Sequence, residues 1–363
     1  MNKKLLTVAV SSALAAPMAA HAVKYKLSGQ VNRAMVFQGD GENSDIQFID
    51  NVASGTRWRM NGSEDIGGGM KVGFNWEWQN SSNSAGSAIG AQPGNGNSNQ
   101  TLRKAEVWFS GNWGKVSLGQ GDGAGNGATE VDLSNTWNVA YVSMASYGGA
   151  VAWRTGAGGY ITSGGGTTSV ASNGVTHGQT YRYYDSFSRY DRIRYDSPAL
   201  GPVTISVSGA ARDRYEGAVR WSQGLGGGQI SAALFYGTDS GSNIKSRYGG
   251  SVAYLFSFGT NLMFSYSAND PDTPGSETGQ NWYIKVGHNW GNNSASLGYG
   301  SSEDGIAQFT DNGFNIGFNH NIPKAKVDLY AGAGWYSLED QPTGQPGVDD
   351  IWTVTIGTKL QFD

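Results

Sequence analysis

The sequence predicts an all-β fold, a transmembrane antiparallel β-barrel of about sixteen strands. Three observations carry that prediction. Large apolar side chains recur at every second position from end to end, the connections between these segments alternate between short and long, and no segment beyond residue 22 approaches the ~18 consecutive apolar residues of a helical span. A sheet exposed to lipid must satisfy every backbone amide internally, so it crosses a membrane only by closing on itself.

The chain opens with a stretch of a different kind. Lys3 and Lys4 precede an apolar run from Leu5 to Ala16, and Ala20-His21-Ala22 forms a small-residue cleavage site. That is the pattern of an export leader over 1–22, with the mature barrel occupying 23–363. Loss of the two lysines takes the formal charge from −4 to −6.

Alternation then begins. In Met70-Lys71-Val72-Gly73-Phe74-Asn75-Trp76-Glu77-Trp78-Gln79 every even position is large and apolar. Trp282, Ile284 and Val286 alternate with Tyr283, Lys285 and Gly287. Trp352, Val354, Ile356, Leu360 and Phe362 do the same near the C-terminus. Such runs are strands with one apolar and one polar face. The segments lie near 23–38, 45–63, 70–79, 102–111, 115–121, 189–197, 202–211, 215–223, 229–238, 244–255, 260–268, 280–290, 294–302, 308–321, 325–337 and 350–362. Every second connection is short, as in Glu64-Asp65-Ile66-Gly67, Asn112-Trp113-Gly114 and Gly291-Asn292-Asn293. The others are longer and polar, as in 80–101, 269–279 and 338–349, and one, 122–188, is very long. Its part 156–180 is rich in Gly, Ser and Thr and reads as an external or poorly ordered insertion. A β-sandwich rarely uses so many strands, and a β-helix would show a short fixed repeat, which is absent.

Composition agrees once it is divided by face. The chain has 56 Gly, 12 Trp, 18 Tyr and 13 Phe, yet its mean hydropathy is −0.41. Half of each strand faces water inside the barrel, and aromatics near strand ends, such as Trp76, Trp113, Trp282 and Trp335, suit the two membrane interfaces. The modest and acidic charge balance gives no basic face for nucleic acid. With no Cys there is no thiolate chemistry and no disulfide framework. Hydrolase signatures are missing, and His177, His288 and His320 stand apart from one another along the chain. The Gly119–Ala124 stretch fits a loose dinucleotide pattern without a following helix, and the acidic run at Asp270 lacks the final Glu of a calcium loop. No cofactor or metal is expected.

Several stretches carry a family likeness. Arg57-Trp58-Arg59-Met60-Asn61-Gly62-Ser63-Glu64-Asp65-Ile66-Gly67-Gly68-Gly69-Met70-Lys71 resembles a run ending in Gly-x-Glu-Asp-Leu-Gly-x-Gly-Leu-Lys. Gly111-Asn112-Trp113-Gly114-Lys115 and Arg192-Ile193-Arg194-Tyr195-Asp196-Ser197-Pro198 are similar to the next turn and to the strand after the inserted loop. The family is that of the general porins of Gram-negative outer membranes, and the likeness covers the mature chain. The C-terminus resembles the family's assembly signal but adds Asp363 after the usual final aromatic, Phe362.

The resemblance implies a homotrimeric outer-membrane channel, set among lipid and lipopolysaccharide, that passes small hydrophilic solutes and ions without turnover. It also implies that the third external loop, within 122–188, folds into the lumen and presents acids, here Glu130 and Asp132, to a ladder of wall arginines. Strand parity places Arg57 and Arg59 inward opposite Trp58 and Met60, and Arg192 and Arg194 inward opposite Ile193 and Tyr195. Arg103 corresponds to a wall arginine by resemblance, although its parity is shared by Ala105, Val107 and Phe109. Arg33 falls on the apolar parity of the first strand and is left out of the site. A charge on the lipid face costs ~2–4 kcal/mol at the midplane, which favours the inward placements. A substrate-selective channel for sugars or anions remains the alternative; a sugar track would need a lumen-facing aromatic stripe, and Tyr283 and Phe235 alone on polar parity do not make one. A barrel lipase would need a Ser/His pair, and an adhesin could use the long loop without excluding a pore.

Overall fold

The computed structural model describes residues 23–83, 89, 98–163, 167–304, 309–340 and 346–363. The expected leader over 1–22 lies outside them. The first six strands are β1 Lys24–Gly39, β2 Ser44–Asp50, β3 Arg57–Gly67, β4 Met70–Ser82, β5 Ser98–Gly111 and β6 Gly114–Asp122. A two-residue hairpin, β7 Tyr160–Ile161 and β8 Thr167–Thr168, and one helical turn, α1 His177–Thr180, belong to the long connection. Then follow β9 Arg189–Asp196, β10 Val203–Ala210, β11 Arg214–Leu225, β12 Gly228–Asp239, β13 Ile244–Leu255 and β14 Thr260–Pro271. The last five are β15 Gly279–Trp290, β16 Asn293–Asp304, β17 Phe309–Ile322, β18 Val327–Asp340 and β19 Ile351–Phe362.

Each long strand pairs antiparallel with its sequence neighbour, and β1 pairs with β19 from Gly29↔Phe362 to Gly39↔Trp352, which closes the ring. β2 and β3 both lie along β1, at its two ends, so together they form one stave of a sixteen-stave barrel. Where the sequence predicts one strand over 45–63, the chain steps out of the ladder at 51–56. The freed backbone groups are taken up by the neighbouring strand: Gln30 Nε2 donates to the Ser54 and Gly55 carbonyls at 2.8 and 2.9 Å, and Asn32 Nδ2 to Ser54 at 2.9 Å. A break of this kind is tolerated because side chains of the neighbouring strand replace the donors that the ladder loses at Ser54 and Gly55.

Burial is inverted relative to a soluble core. On β14, Asn261, Ser265 and Ser267 are buried while Leu262 and Phe264 are about half exposed. The apolar parity therefore faces outward, as expected for a wall in lipid. Trp76, Trp113, Trp282, Trp290 and Trp335 are on the exposed side. Glycine has a steric role at the seam: a Cβ at Gly29 would collide with the Phe362 ring, so the terminal aromatic packs over it. The additional Asp363 is held by Lys26, at 2.7 Å, and by Lys326.

The 123–188 connection leaves and rejoins the wall at one point, where Gly123 N donates to Ser188 O at 2.9 Å. Its backbone bonds to polar-parity side chains of many strands: Ser208 to Ala124, Ser251 to Ala128 and Val131, Ser265 to Thr129, Asn289 to Leu133, and Ser302 to Arg182. Among the described residues of the 156–180 stretch, expected as an external or poorly ordered insertion, some are buried and others exposed. Ile161, Val175 and His177 are buried with Trp153, Tyr181, Tyr336 and Ile351, where apolar residues scattered through the Gly/Ser/Thr stretch meet apolar partners. Gly156 and Val170, which lack one, remain open.

Candidate functional site

Strand parity and one irregularity assemble a basic wall. Arg57 and Arg59 pair in register with Gln79 and Glu77 on the inner face of β3 and β4. Between β4 and β5 the register shifts: Glu77 pairs with Lys104 and Trp78 with Leu102, so Arg103 is an extra residue on β5. That β-bulge resolves the ambiguity in its parity, since a bulged residue escapes the alternation of its strand. Arg103 and Lys104 both reach the inner side. Arg103 Nε lies 2.5 Å from Glu77 Oε1, Arg59 Nε 3.1 Å from Oε2, and Arg57 Nη1 3.7 Å from Oε1. Lys104 Nζ and Arg189 Nε hold the two oxygens of Asp122 at 2.5 and 2.7 Å.

These groups surround a cavity of about 380 Å³ lined by Arg57, Arg59, Arg103, Lys104, Arg189 and Glu77. Among the described residues lining it, five cations face one carboxylate. A second cavity, of about 400 Å³, is shared by Arg57, Arg103 and Arg189 on one side and by Glu130, Asp185, Tyr141 and Tyr183 on the other. Acids and bases thus face one another across a common space. Burial, reinforced by the Asp185 carboxylate, pushes Glu130 up to about 7, while the Tyr141 hydroxyl donates to it. Asp185 itself is raised by burial, although it accepts from the Gly127 and Thr129 amides at 2.8 and 3.2 Å and from the Thr129 hydroxyl at 2.8 Å.

The remaining expected residues are placed differently. Asp132 meets Lys285 at 2.7 Å, and the buried Lys285 ammonium also donates to the Ala140 carbonyl. Burial would raise the Asp132 carboxyl, but Lys285 and the Ser134 hydroxyl hold it below the usual carboxylate range. It fastens the connection to β15. Arg192 is buried against Glu106, and donates to the Asp122 and Gly119 carbonyls at 3.0 and 3.1 Å. A Cβ at Gly121 would fill the space that its guanidinium occupies. Arg194 binds Asp196 at 2.7 Å and the Gly123 carbonyl at 2.8 Å. Both arginines point inward as parity requires, yet they hold the stem of the connection, and neither borders the two cavities.

Four charged participants escape the sequence reading: Glu77, Lys104, Asp185 and Arg189. Arg189 lies on the outward parity of β9, but as its first residue it bends to Asp122. Lys285 alone had a readable signal, a charged side chain in the middle of a strand on its polar face. His177, which stands alone in the sequence, has its Nδ1 2.8 Å from Asp311 Oδ2. The Thr180 hydroxyl donates to that same carboxylate oxygen at 2.6 Å rather than to the imidazole, so no nucleophile–base pair forms. Among the described residues no acidic, His or Cys cluster could hold a metal.

Comparison with known proteins agrees with the architecture. A family model described as Gram-negative porin matches residues 6–341. The chain is 27% identical over 274 residues to outer membrane porin protein 32 of Delftia acidovorans, covering 68% of this chain and 73% of that one. Among solved structures, an anion-selective porin from Comamonas acidovorans superposes with a TM-score of 0.60 at 17% identity, over 94% of this chain and all of the other. The trimer form of OmpT of Vibrio cholerae superposes at 0.57 with 12% identity, again over 94% and 100%. Such identities speak for the fold alone, whereas the family match spans most of the sequence. The chain therefore belongs to the Gram-negative porin family, channel proteins of the outer membrane rather than enzymes.

Proposed function

We propose that the channel is a passive, anion-preferring path for small hydrophilic solutes, narrowed by the 122–188 connection lying across the lumen. One observation carries this reading: the cavity bounded by Arg57, Arg59, Arg103, Lys104 and Arg189 offers five cations against Glu77. Charged side chains lining a narrow path set ion preference locally, whatever the sign of the whole chain. Opposed by Glu130 and Asp185, the cations produce a field across the path that favours dipolar, hydrated solutes over apolar ones. The placement of the connection is supported by its bonds to polar-parity side chains from β10 to β17, which the outward-facing parity excludes from lipid. Within this reading Asp132, Arg192 and Arg194 position the connection, while Arg57, Arg59, Arg103 and Glu130 border the path. Assembly as a homotrimer is supported by the trimer form of the OmpT neighbour. Export by a leader over 1–22 and contacts with lipid and lipopolysaccharide complete the proposal.

Purified protein in planar bilayers should give stepwise currents, and a salt gradient should give a zero-current potential of the sign set by anions. A cation-signed potential would overturn the anion preference, and absence of steps would overturn the channel itself. A pH dependence follows from Glu130. Its carboxyl, ordinarily ionised well below neutrality, is protonated below about pH 7. Acidification through that value removes a negative charge from the path, so the anion preference should strengthen. The zero-current potential measured from pH 8 to pH 5 reads this directly, and Glu130→Gln should make it flat.

A further inference from the structure

Residues 149–178 of the connection line neither of the cavities around the basic wall, so the charge field gives them no task. The segment leaves and returns at one point, where Gly178 N donates to Gly149 O at 2.9 Å. Between these ends, Trp153 N donates to Val175 O at 2.9 Å, Ile161 N to Trp153 O at 3.2 Å and Val175 N to Ile161 O at 2.8 Å, which knits three short stretches together. Val151, Trp153, Ile161 and Val175 are buried and pack in one cluster with Tyr283, Phe309, Tyr336, Leu338 and Ile351. Those five wall residues fall on the opposite parity to the exposed Trp282, Phe314, Trp335 and Val354, so they lie on the inner face of β15, β17, β18 and β19. An apolar row facing inward is out of place in a water-filled barrel unless something apolar covers it, and this segment does. Its polar groups are tied down at both edges. His177 Nδ1 lies 2.8 Å from Asp311 Oδ2 on β17. At the other edge Arg154 pairs with Glu42 in the turn between β1 and β2, the Tyr160 hydroxyl donates to Asp40 Oδ2 at 3.0 Å, and Asp349 N donates to Arg154 O at 2.8 Å. All of these anchors stand at the long-connection end of the barrel.

We infer that 149–178 is a fixed roof over the β15–β19 side of the external mouth, a size filter that solutes pass before they reach the charge filter. The inference rests on the reading of the connection as lying within the channel, and it gives this segment a task separate from ion preference. Apolar burial makes it a roof rather than a gate. Lifting it would expose Trp153 and Ile161, together with the inner Tyr283, Tyr336 and Ile351, to water, which the hydrophobic effect opposes. Removing it would open the β15–β19 side and leave the lining of the basic cavity, Arg57, Arg59, Arg103, Lys104 and Arg189, in place.

The test sets polyethylene glycols of increasing mass, added to one side at a time, against the unitary KCl current in planar bilayers. A polymer small enough to enter lowers the current, and a larger one does not. Excising 150–177 and joining Gly149 to Gly178 through Asn-Gly keeps the bond between the two ends, since a two-residue turn places its flanking residues in that register. We expect the largest polymer admitted at one entrance to roughly double in mass, a coil radius about 1.4-fold greater by square-root scaling, while the other entrance and the zero-current potential stay as in wild type. Trp153→Ala, which keeps the chain length, should act in the same direction by less. The chain has no Cys, so Ile351→Cys reports the seat of the roof. A charged thiosulfonate reagent should leave it unreacted in the intact protein and modify it in the excised one. An unchanged cut-off in the excised protein, or in Trp153→Ala where the excised protein gives no steps, would overturn the size filter. Modification of Ile351→Cys beneath the intact segment would overturn the fixed roof. Absence of KCl steps in the wild type would instead overturn the channel reading beneath both.

Discussion

Replacing Lys285 with methionine should enlarge the unitary current and make it noisy while leaving the barrel assembled. Lys285 projects from the middle of β15 and is 1% exposed. Its ammonium holds Asp132 at 2.7 Å, donates to the Ala140 carbonyl, and reaches Ser134 Oγ at 3.3 Å. One side chain thus ties down both ends of the 132–140 stretch. Removing one partner of a buried ion pair costs ~3–5 kcal/mol, since the carboxylate left behind keeps its desolvation penalty without its counterion. The ladder of β15 is intact in the variant, so the loss falls on the attachment of the connection. Other bonds persist nearby, including Thr136 to Ser296 at 2.6 Å, and the stretch should loosen rather than detach. Adding Asp132→Leu removes the stranded charge and should restore most of the quiet, smaller current, because an apolar pair in the same place is close to neutral. Unitary currents equal to wild type in Lys285→Met would show that this staple does not set the aperture.

The strands were legible because the alternation is dictated by two solvents, lipid outside and water inside, and a pleated strand reports both at every second residue. The parity of Arg57, Arg59, Arg192 and Arg194 was legible on the same ground. What parity cannot report is a place where the pleat is interrupted. The stave broken at 51–56 depends on Gln30 and Asn32 of the neighbouring strand, and Arg103 depends on a bulge against β4. Both are tertiary facts with no local signal. The division of labour among the charges is equally non-local. Asp132 and Lys285 are 153 residues apart in the chain, as are many of the wall partners of the connection at similar separations. A reading along the sequence could collect acids and arginines expected near a constriction, but could not say that Arg192 and Arg194 bond the Asp122 and Gly123 carbonyls at the stem of the connection. The Gly/Ser/Thr stretch has the composition of a solvated loop, and the burial within it rests on a few isolated residues such as Ile161 and Val175.

Neutralising Arg57 and Arg103 together, as glutamines, should abolish the anion preference and reverse it above neutral pH. Around the two cavities stand Arg57, Arg59, Arg103, Lys104 and Arg189. Facing or binding them are Glu77, Asp122, Glu130 and Asp185. Five cations to four carboxylates becomes three to four, and Glu130, with its carboxyl at about 7, decides the sign near neutrality. A unit charge ~10 Å from the ion path contributes about 1.7 kcal/mol at an effective dielectric of ~20. Salt near 0.1 M, with a screening length of ~10 Å, reduces this to well under 1 kcal/mol. Two charges then change the anion-to-cation permeability ratio by roughly an order of magnitude, and by less at 1 M salt. Arg194→Gln is the control that separates local charge from charge count. Its guanidinium is already matched by Asp196 and the Gly123 carbonyl, so its loss should alter the stem of the connection and leave the zero-current potential close to wild type. If Arg194→Gln shifts that potential as far as Arg57→Gln with Arg103→Gln, selectivity follows total charge and the basic wall is not the filter.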